Sequence, residues 1–255
     1  MKHHLTVFAV VALFAMTVSA QTKIVAHRGY WDCAGSAQNS VTSLKLADKI
    51  GVYGSEFDVH LTKDNVIVIH HDPTAKTPSG KELDIQTSTL KELRKVKLKN
   101  GEKIPTLNEY LETGKDLGCR LVLEIKKQKM QSHEDSLVHE TVDMVKAKGM
   151  ENRMVWISFS GKACELLRLL LPNANIQYLN GDWDPQTVKA KGLNGIDYNE
   201  KVLALHPEWI KECHDLGLVV NVWTVNDLND IDQFIKAGVD IITTNKPVEA
   251  LKLSK

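Results

Sequence analysis

From Lys23 onward the chain alternates between short, β-branched apolar runs and longer stretches in which apolar residues recur every three or four positions. The short runs predict eight strands, at residues 24–26, 55–59, 121–125, 154–158, 176–179, 195–198, 218–223 and 240–243. The helical spacing alternates with them, eight of each, and is clearest over residues 40–50, 107–117, 134–148, 162–171, 185–191, 207–216 and 227–237. Glycines close most of these stretches where a C-cap is wanted, Gly118 and Gly238 among them. Strands alternating with helices predict an α/β fold with a parallel sheet. Eight such units in this length fit a (β/α)8 TIM barrel, whereas a doubly wound sheet usually has fewer strands and often a glycine-rich first turn. Neither GxGxxG nor GxxxxGK[ST] occurs in the chain, which disfavours a nucleotide-binding fold.

One segment breaks the rhythm. Between the second strand and its helix, residues 72–106 contain a turn suited to a hairpin and a short helix opened by the capping box Thr89-x-x-Glu92; a second box, Thr106-x-x-Glu109, starts the next barrel helix. A connection this long in a compact domain is usually a functional loop. Residues 73–105 are therefore expected to form a small insertion at the mouth of the barrel.

The first 20 residues differ in kind. Lys2 with His3 and His4, an apolar run from Leu5 and the small-residue site Val18-Ser19-Ala20 predict a secretory signal peptide, leaving one domain over residues 21–255. Export to a periplasm or to the medium is the corresponding expectation. Cleavage after Ala20 would expose no cysteine, so no lipid anchor is expected, and no apolar run beyond the signal approaches the ~20 residues of a membrane span. The 32 Lys and Arg balance 32 Asp and Glu, and the signal carries only Lys2 of these, so the remainder stands at −1. Such a balance implies neither a nucleic-acid partner nor a stable membrane association, and a monomer is the default expectation. Cys33, Cys119, Cys164 and Cys213 lie far apart without metal-ligand spacing and are expected to be buried thiols.

In a barrel, chemistry gathers at the C-terminal ends of the strands. The first strand ends in His27-Arg28-Gly29, the second contains Glu56-Phe57-Asp58, and the third ends in Glu124-Ile125-Lys126. Residues two apart on a strand project to the same side, so Glu56 pairs with Asp58, and Glu124 with Lys126. Three carboxylates in one enclosed mouth repel unless protonated or bound to a cation, and their all-oxygen donor set suits one hard divalent ion, Mg²⁺ or Ca²⁺. With that ion the three carboxylates carry −1, and Arg28 and Lys126 bring the site to +1, a charge that a phosphodiester neutralises. Arginine offers a planar fork for two phosphate oxygens and lysine a point charge. Cleaving a diester also needs a base and an acid, which His27 and one histidine of His70-His71-Asp72 supply; the spacing does not choose between the adjacent pair.

These residues resemble the glycerophosphodiester phosphodiesterase family, whose (β/α)8 barrel is shared with phosphatidylinositol-specific phospholipases C. The family's HRG, ExD, HD and ExK motifs appear here as His27-Arg28-Gly29, Glu56-x-Asp58, His71-Asp72 and Glu124-x-Lys126, and residues 56–72 are similar to the family almost throughout. Val222-Trp223-Thr224-Val225-Asn226 and Thr243-Thr244-Asn245-Lys246-Pro247 resemble its motifs at strands seven and eight. The resemblance implies that His27 and His71 form the acid–base pair, that Glu56, Asp58 and Glu124 hold the metal, that Arg28 and Lys126 hold the phosphate, and that Trp223 forms an apolar wall on the glycerol side. The substrate it implies is a small glycerophosphodiester, cleaved to sn-glycerol 3-phosphate and an alcohol, with water or the glycerol 2-hydroxyl as nucleophile. The chain departs from the family at Ala37-Gln38-Asn39-Ser40, where Pro-Glu-Asn-Thr is usual, and at Ala75-Lys76-Thr77, where Leu-x-Arg often follows; both changes bear on substrate preference.

Two other readings compete. A lipid-directed phosphodiesterase of the phospholipase C or D kind would favour an apolar rim, but the insertion is rich in Lys, Thr and Ser. A non-catalytic barrel that only binds glycerophosphodiesters would be expected to lose a metal ligand or a histidine first, and all are present. Among the other aromatic and imidazole residues, His133, His139, His206 and His214 suit surface or capping positions, and Trp156 and Trp209 suit packing. Trp31 and Trp183 fall in loops after strands and are candidates to touch substrate. The side that His60 faces is left unassigned.

Overall fold

The computed structural model describes residues 21–255, so the expected signal peptide lies outside the described residues. Eight parallel strands form the barrel: β1 (Lys23–Ala26), β2 (Gly54–Leu61), β6 (Arg120–Ile125), β7 (Met154–Ser158), β8 (Asn175–Tyr178), β9 (Gly195–Asn199), β10 (Val219–Trp223) and β11 (Ile241–Thr244). Each pairs with the next, and β1 pairs with both β2 and β11, which closes the sheet. The expected (β/α)8 barrel is thus the observed fold.

The strands are buried on both faces, as parallel strands covered by helices must be. Alternation sends Ile24, Phe57, Leu121, Leu123, Trp156, Ile176, Val220 and Val222 outward to the helices. Their alternates Val25, Val122, Val155, Ile157, Leu179 and Ile241 fill the barrel interior. The outer layer consists of α1 (Val41–Lys49), α3 (Leu107–Gly114), α4 (Gln131–Ala147), α5 (Gly161–Leu170), α6 (Pro185–Ala190), α8 (Glu208–Asp215), α9 (Leu228–Ala237) and α10 (Pro247–Leu253). Side-chain oxygens of Ser40, Thr106, Ser160, Asp184 and Asp227 cap five of their N-termini.

Two elements lie beyond the sequence reading, a short helix and a ninth strand, while the insertion takes the hairpin and the capped helix expected of it. A short helix, α7 (Glu200–Leu205), follows β9 ahead of α8. A ninth strand, β3 (Ile67–Ile69), runs antiparallel to β2 with Val59 opposite Ile69. Beyond it, β4 (Thr74–Lys76) and β5 (Glu82–Asp84) form a hairpin, and α2 (Leu90–Leu93) opens on the Thr89–Glu92 capping box. This segment has its own small core of Val68, Ala75, Leu83, Ile85, Leu93 and Ile104. Gly118 takes no left-handed conformation and does not close α3, whose C-cap is Lys115; the Asp48 carboxylate instead accepts the Gly118 N–H at 2.7 Å and that of Cys119 at 2.9 Å. Cys119, Cys164 and Cys213 are buried thiols as expected, whereas Cys33 is half-buried in the loop after β1.

Candidate active site

The chain turns sharply at the end of β1. Arg28 and Gly29 both take left-handed backbone, with φ of 57° and 76°. That turn aims the Arg28 N–H at Glu56 Oε2, 2.7 Å away, so the first loop is tied to the second strand at the site itself. A Cβ on Gly29 would stand 2.4 Å from Ser43 Oγ, so only glycine allows α1 to pack this close behind the turn.

Glu56 and Asp58 project inward from β2, and Asp58 lies opposite Glu124 in the parallel ladder with β6. One ligand oxygen from each of Glu56, Asp58 and Glu124 can be chosen so that all lie within 4.8 Å of one another, and the side chains are 3%, 0% and 7% exposed. Lys126 Nζ stands 2.8 Å from Glu124 Oε1 and 3.2 Å from Asp58 Oδ1, within ion-pair range, yet neither oxygen receives a well-angled hydrogen bond. Asn39 supports Asp58 from the other side, donating to Oδ2 at 2.8 Å and accepting its backbone N–H at 3.3 Å. Buried carboxylate oxygens left under-satisfied, in a compact all-oxygen group, fit a hard divalent cation.

The electrostatics follow from crowding. Burial raises the Glu56 carboxyl well above its usual range, and Asp58 and Glu124 add to the effect. Glu124 is pushed up to about 8 by burial and by Asp58. Burial works the same way on Asp58, but Lys126, His71, the Asn39 hydrogen bond and Arg28 outweigh it and hold Asp58 below the usual range. Three buried carboxyls facing two cationic side chains thus do not all ionise in the chain alone; Asp58 stays charged while Glu56 and Glu124 hold their protons, and ionising all three calls for a further positive charge.

The two histidines stand on either side. His27 Nδ1 lies 2.9 Å from Asn245 Oδ1, which also accepts the Trp31 indole N–H at 3.1 Å. An oxygen that accepts from an indole also accepts from His27, so Nδ1 carries the proton and Nε2, 4.0 Å from Glu56, is bare in the neutral ring. Burial and Arg28 lower the His27 pKa to about 4. His71 Nδ1 lies 2.7 Å from the Asp72 carboxylate, and burial lowers this histidine too. The structure resolves the adjacent pair: His71 lines the cavity with His27, while His70 turns its Nε2 to the Thr74 carbonyl. His60 is buried, with Nε2 3.3 Å from the His71 carbonyl and Nδ1 facing Gln128, so it braces the loop that carries His71.

These groups border a cavity of about 160 Å³. His27, Arg28, Glu56, His71 and Glu124 form one wall; Ile157, Phe159, Leu179 and Trp223 form the other, with Asp197 set among them. Trp223 meets Phe159 edge-on at 5.4 Å between ring centres. Six of the eight expected residues, His27, Arg28, Glu56, His71, Glu124 and Trp223, line this space, and Asp58 and Lys126 stand behind Glu124 in the ion-pair group. Trp31 approaches through Asn245, whereas Trp183 stacks on Tyr178 at 4.0 Å and belongs to the packing instead. Gln38, where the family often has a glutamate, accepts a hydrogen bond from Arg28 Nη1 at 2.8 Å. Asn39 and Asn245 lie within stretches aligned with family motifs, but local spacing assigns them no role. Asp197 carried a signal only in its alternation with Gly195, and Phe159 none.

Comparison with known proteins agrees with this arrangement. The model of the glycerophosphoryl diester phosphodiesterase family matches residues 27–249. A glycerophosphodiester phosphodiesterase of Parabacteroides distasonis, known from its crystal structure, is 44% identical with a TM-score of 0.87, over 92% of this chain and 97% of its own. A glycerophosphodiester phosphodiesterase of Caldanaerobacter subterraneus is 29% identical over 246 residues, 91% of this chain and 98% of the relative. An Oleispira antarctica phosphodiesterase, solved in complex with the product sn-glycerol-3-phosphate, shares the fold at 22% identity and a TM-score of 0.76, over 91% of this chain and 96% of its own. The chain belongs to the glycerophosphoryl diester phosphodiesterase family, and it is a phosphodiesterase.

Proposed function

We propose that the protein hydrolyses small glycerophosphodiesters to sn-glycerol 3-phosphate and an alcohol, using one divalent cation, Mg²⁺ or Ca²⁺, held by Glu56, Asp58 and Glu124. The observation that carries this reading is the meeting, at one end of the barrel, of three buried carboxyls with two cationic side chains and two histidines of different support. A bound cation supplies Lewis-acid polarisation of a phosphoryl oxygen. Arg28 and Lys126 offset charge on the remaining phosphate oxygens as it builds. Gln38 holds the Arg28 guanidinium from behind while leaving it its full charge.

The histidines divide the proton transfers by what backs them. Burial and the neighbouring Arg28 favour the neutral ring of His27, and its hydrogen bond to the Asn245 amide oxygen leaves Nε2 bare, the form of a base. His71 rests on the Asp72 carboxylate, which stabilises an imidazolium, the form of an acid that protonates the leaving alkoxide. The outer surface of the β4–β5 hairpin, with Lys76, Ser79, Gly80 and Lys81 exposed, supports a soluble, deacylated substrate over a lipid.

The test is release of sn-glycerol 3-phosphate from a panel of glycerophosphodiesters in the presence of Mg²⁺, Ca²⁺ or EDTA. Release that EDTA abolishes is expected, with His27→Ala and His71→Ala each lowering kcat by about 10²- to 10⁴-fold at an unchanged fold. Binding without metal-dependent turnover, by the wild type and both variants alike, would support the non-catalytic barrel.

A further inference from the structure

The apolar wall of the cavity contains one group that the acid–base pair, the phosphate contacts and the carboxylate cluster leave unused. Asp197 lies at the middle of β9, where alternation turns it into the barrel while Ile196 and Tyr198 pack against the helices. It is 1% exposed, and its Oδ1 is enclosed without a hydrogen-bond partner. The residue nevertheless lines the cavity, with Leu179 and Trp223 and within electrostatic reach of Glu124, yet outside the compact group of Glu56, Asp58 and Glu124. Its own backbone carbonyl accepts the Trp223 indole N–H at 2.8 Å, so the ring that shapes this wall has spent its only donor. Thr243, also on this side, donates its hydroxyl to Asn221. Thr224 also brings a hydroxyl to the lining, but Asp197 is the carboxyl there that stands outside the metal-binding group. A carboxyl buried without a partner is costly, and one kept on the wall of a cavity points to a partner that arrives with the ligand.

Resting on the glycerophosphodiester reading, we propose that Asp197 is a specificity-determining residue: it hydrogen-bonds the terminal hydroxyl of the substrate's glycerol moiety, whose carbon chain lies against Trp223 and Phe159. A hydroxyl both donates and accepts, so it satisfies the carboxyl in either protonation state. A diester without that hydroxyl leaves the carboxyl unpaired in a dry wall and is rejected, which is how a site built to bond a hydroxyl discriminates against an analogue lacking it.

The experiment compares sn-glycero-3-phosphocholine with the phosphocholine diester of propane-1,2-diol, which keeps the hydroxyl beside the phosphate ester and lacks the terminal one. Values of kcat/KM and KM are measured with Mg²⁺ for the wild type, Asp197→Asn and Asp197→Leu, with Asp197→Ala measured in the same way should the leucine variant not fold. The wild type is expected to prefer the glycerol diester by about tenfold or more, the leucine or alanine variant to lose that preference mainly through KM, and the asparagine variant, which still donates and accepts, to keep most of it. A preference that survives in the leucine or alanine variant, or rates for both diesters that fall by the same factor with the ratio intact, would overturn the assignment. A wild type that cleaves neither diester would instead overturn the functional reading on which it rests.

Discussion

His27 and His71 face the same carboxylate cluster with different groups behind them, an amide and a carboxylate. That difference makes the division of proton transfers testable one side chain at a time. In its protonated form His71 is stabilised by Asp72, while burial, the larger influence, pulls its pKa down. Replacing Asp72 with asparagine removes the stabilising charge and leaves the burial, so the His71 pKa falls further. An acid is active only while protonated, and its loss defines the alkaline limb of the rate profile. The kcat/KM profile of Asp72→Asn should therefore lose activity at lower pH than the wild type, with its acid limb unmoved. An acid limb that shifts instead would exchange the roles assigned to the two histidines. The same scale explains what the sequence left hidden around them. ExD and ExK are legible because two-residue spacing on a strand has one geometric meaning. The partnerships of Asn245 with His27, and of Gln38 with Arg28, depend on which loops meet above the barrel, and no local spacing encodes that.

Among the elements, the turn that joins β1 to the loop before α1 couples packing to chemistry most directly. Gly29→Ala would place a Cβ 2.4 Å from Ser43 Oγ and 2.7 Å from the Ser43 carbonyl carbon, in a left-handed conformation that already disfavours a side chain. Ser43 is buried in α1, so relief must come from the turn, where the Arg28 N–H meets Glu56. We expect Gly29→Ala to cost about 2 kcal/mol of stability and to lower activity more than that loss explains, checked by thermal unfolding beside kcat/KM. Activity retained at the wild-type level would show that the turn does not set the site. The barrel strands were legible because each is buried on both faces and separated from the next by an amphipathic helix. β3 was not, since Ile67-Val68-Ile69 is too short to fix its own direction and takes it from the ladder with β2. α7 was missed for a related reason: six residues carry less than two turns of periodicity.

At the scale of the molecule, closure of the barrel gathers groups from β1, β2, β6, β9 and β10 at one end, although they are separated by as much as 196 positions, from His27 to Trp223. Closure also decides their ionisation. On an open sheet Glu56, Asp58 and Glu124 would be solvated; enclosed, they share two cationic side chains, and the carboxyls of Glu56 and Glu124 rise while Asp58 stays low. A carboxyl whose pKa is raised to about 8 holds its proton at neutral pH, and a divalent cation binding there must displace it. Cation uptake by the EDTA-stripped protein at pH 7 should accordingly release protons, and affinity should increase as pH rises from the ordinary carboxylate range toward 8. Titration calorimetry in buffers of different ionisation heat reads the released protons directly. Glu124→Gln removes one ligand and its proton together, so it should both weaken the cation and reduce the release. Cation binding with no proton release, unchanged in that variant, would place the ion elsewhere and detach the three buried carboxylates from the metal role that their enclosure, charge and spacing support.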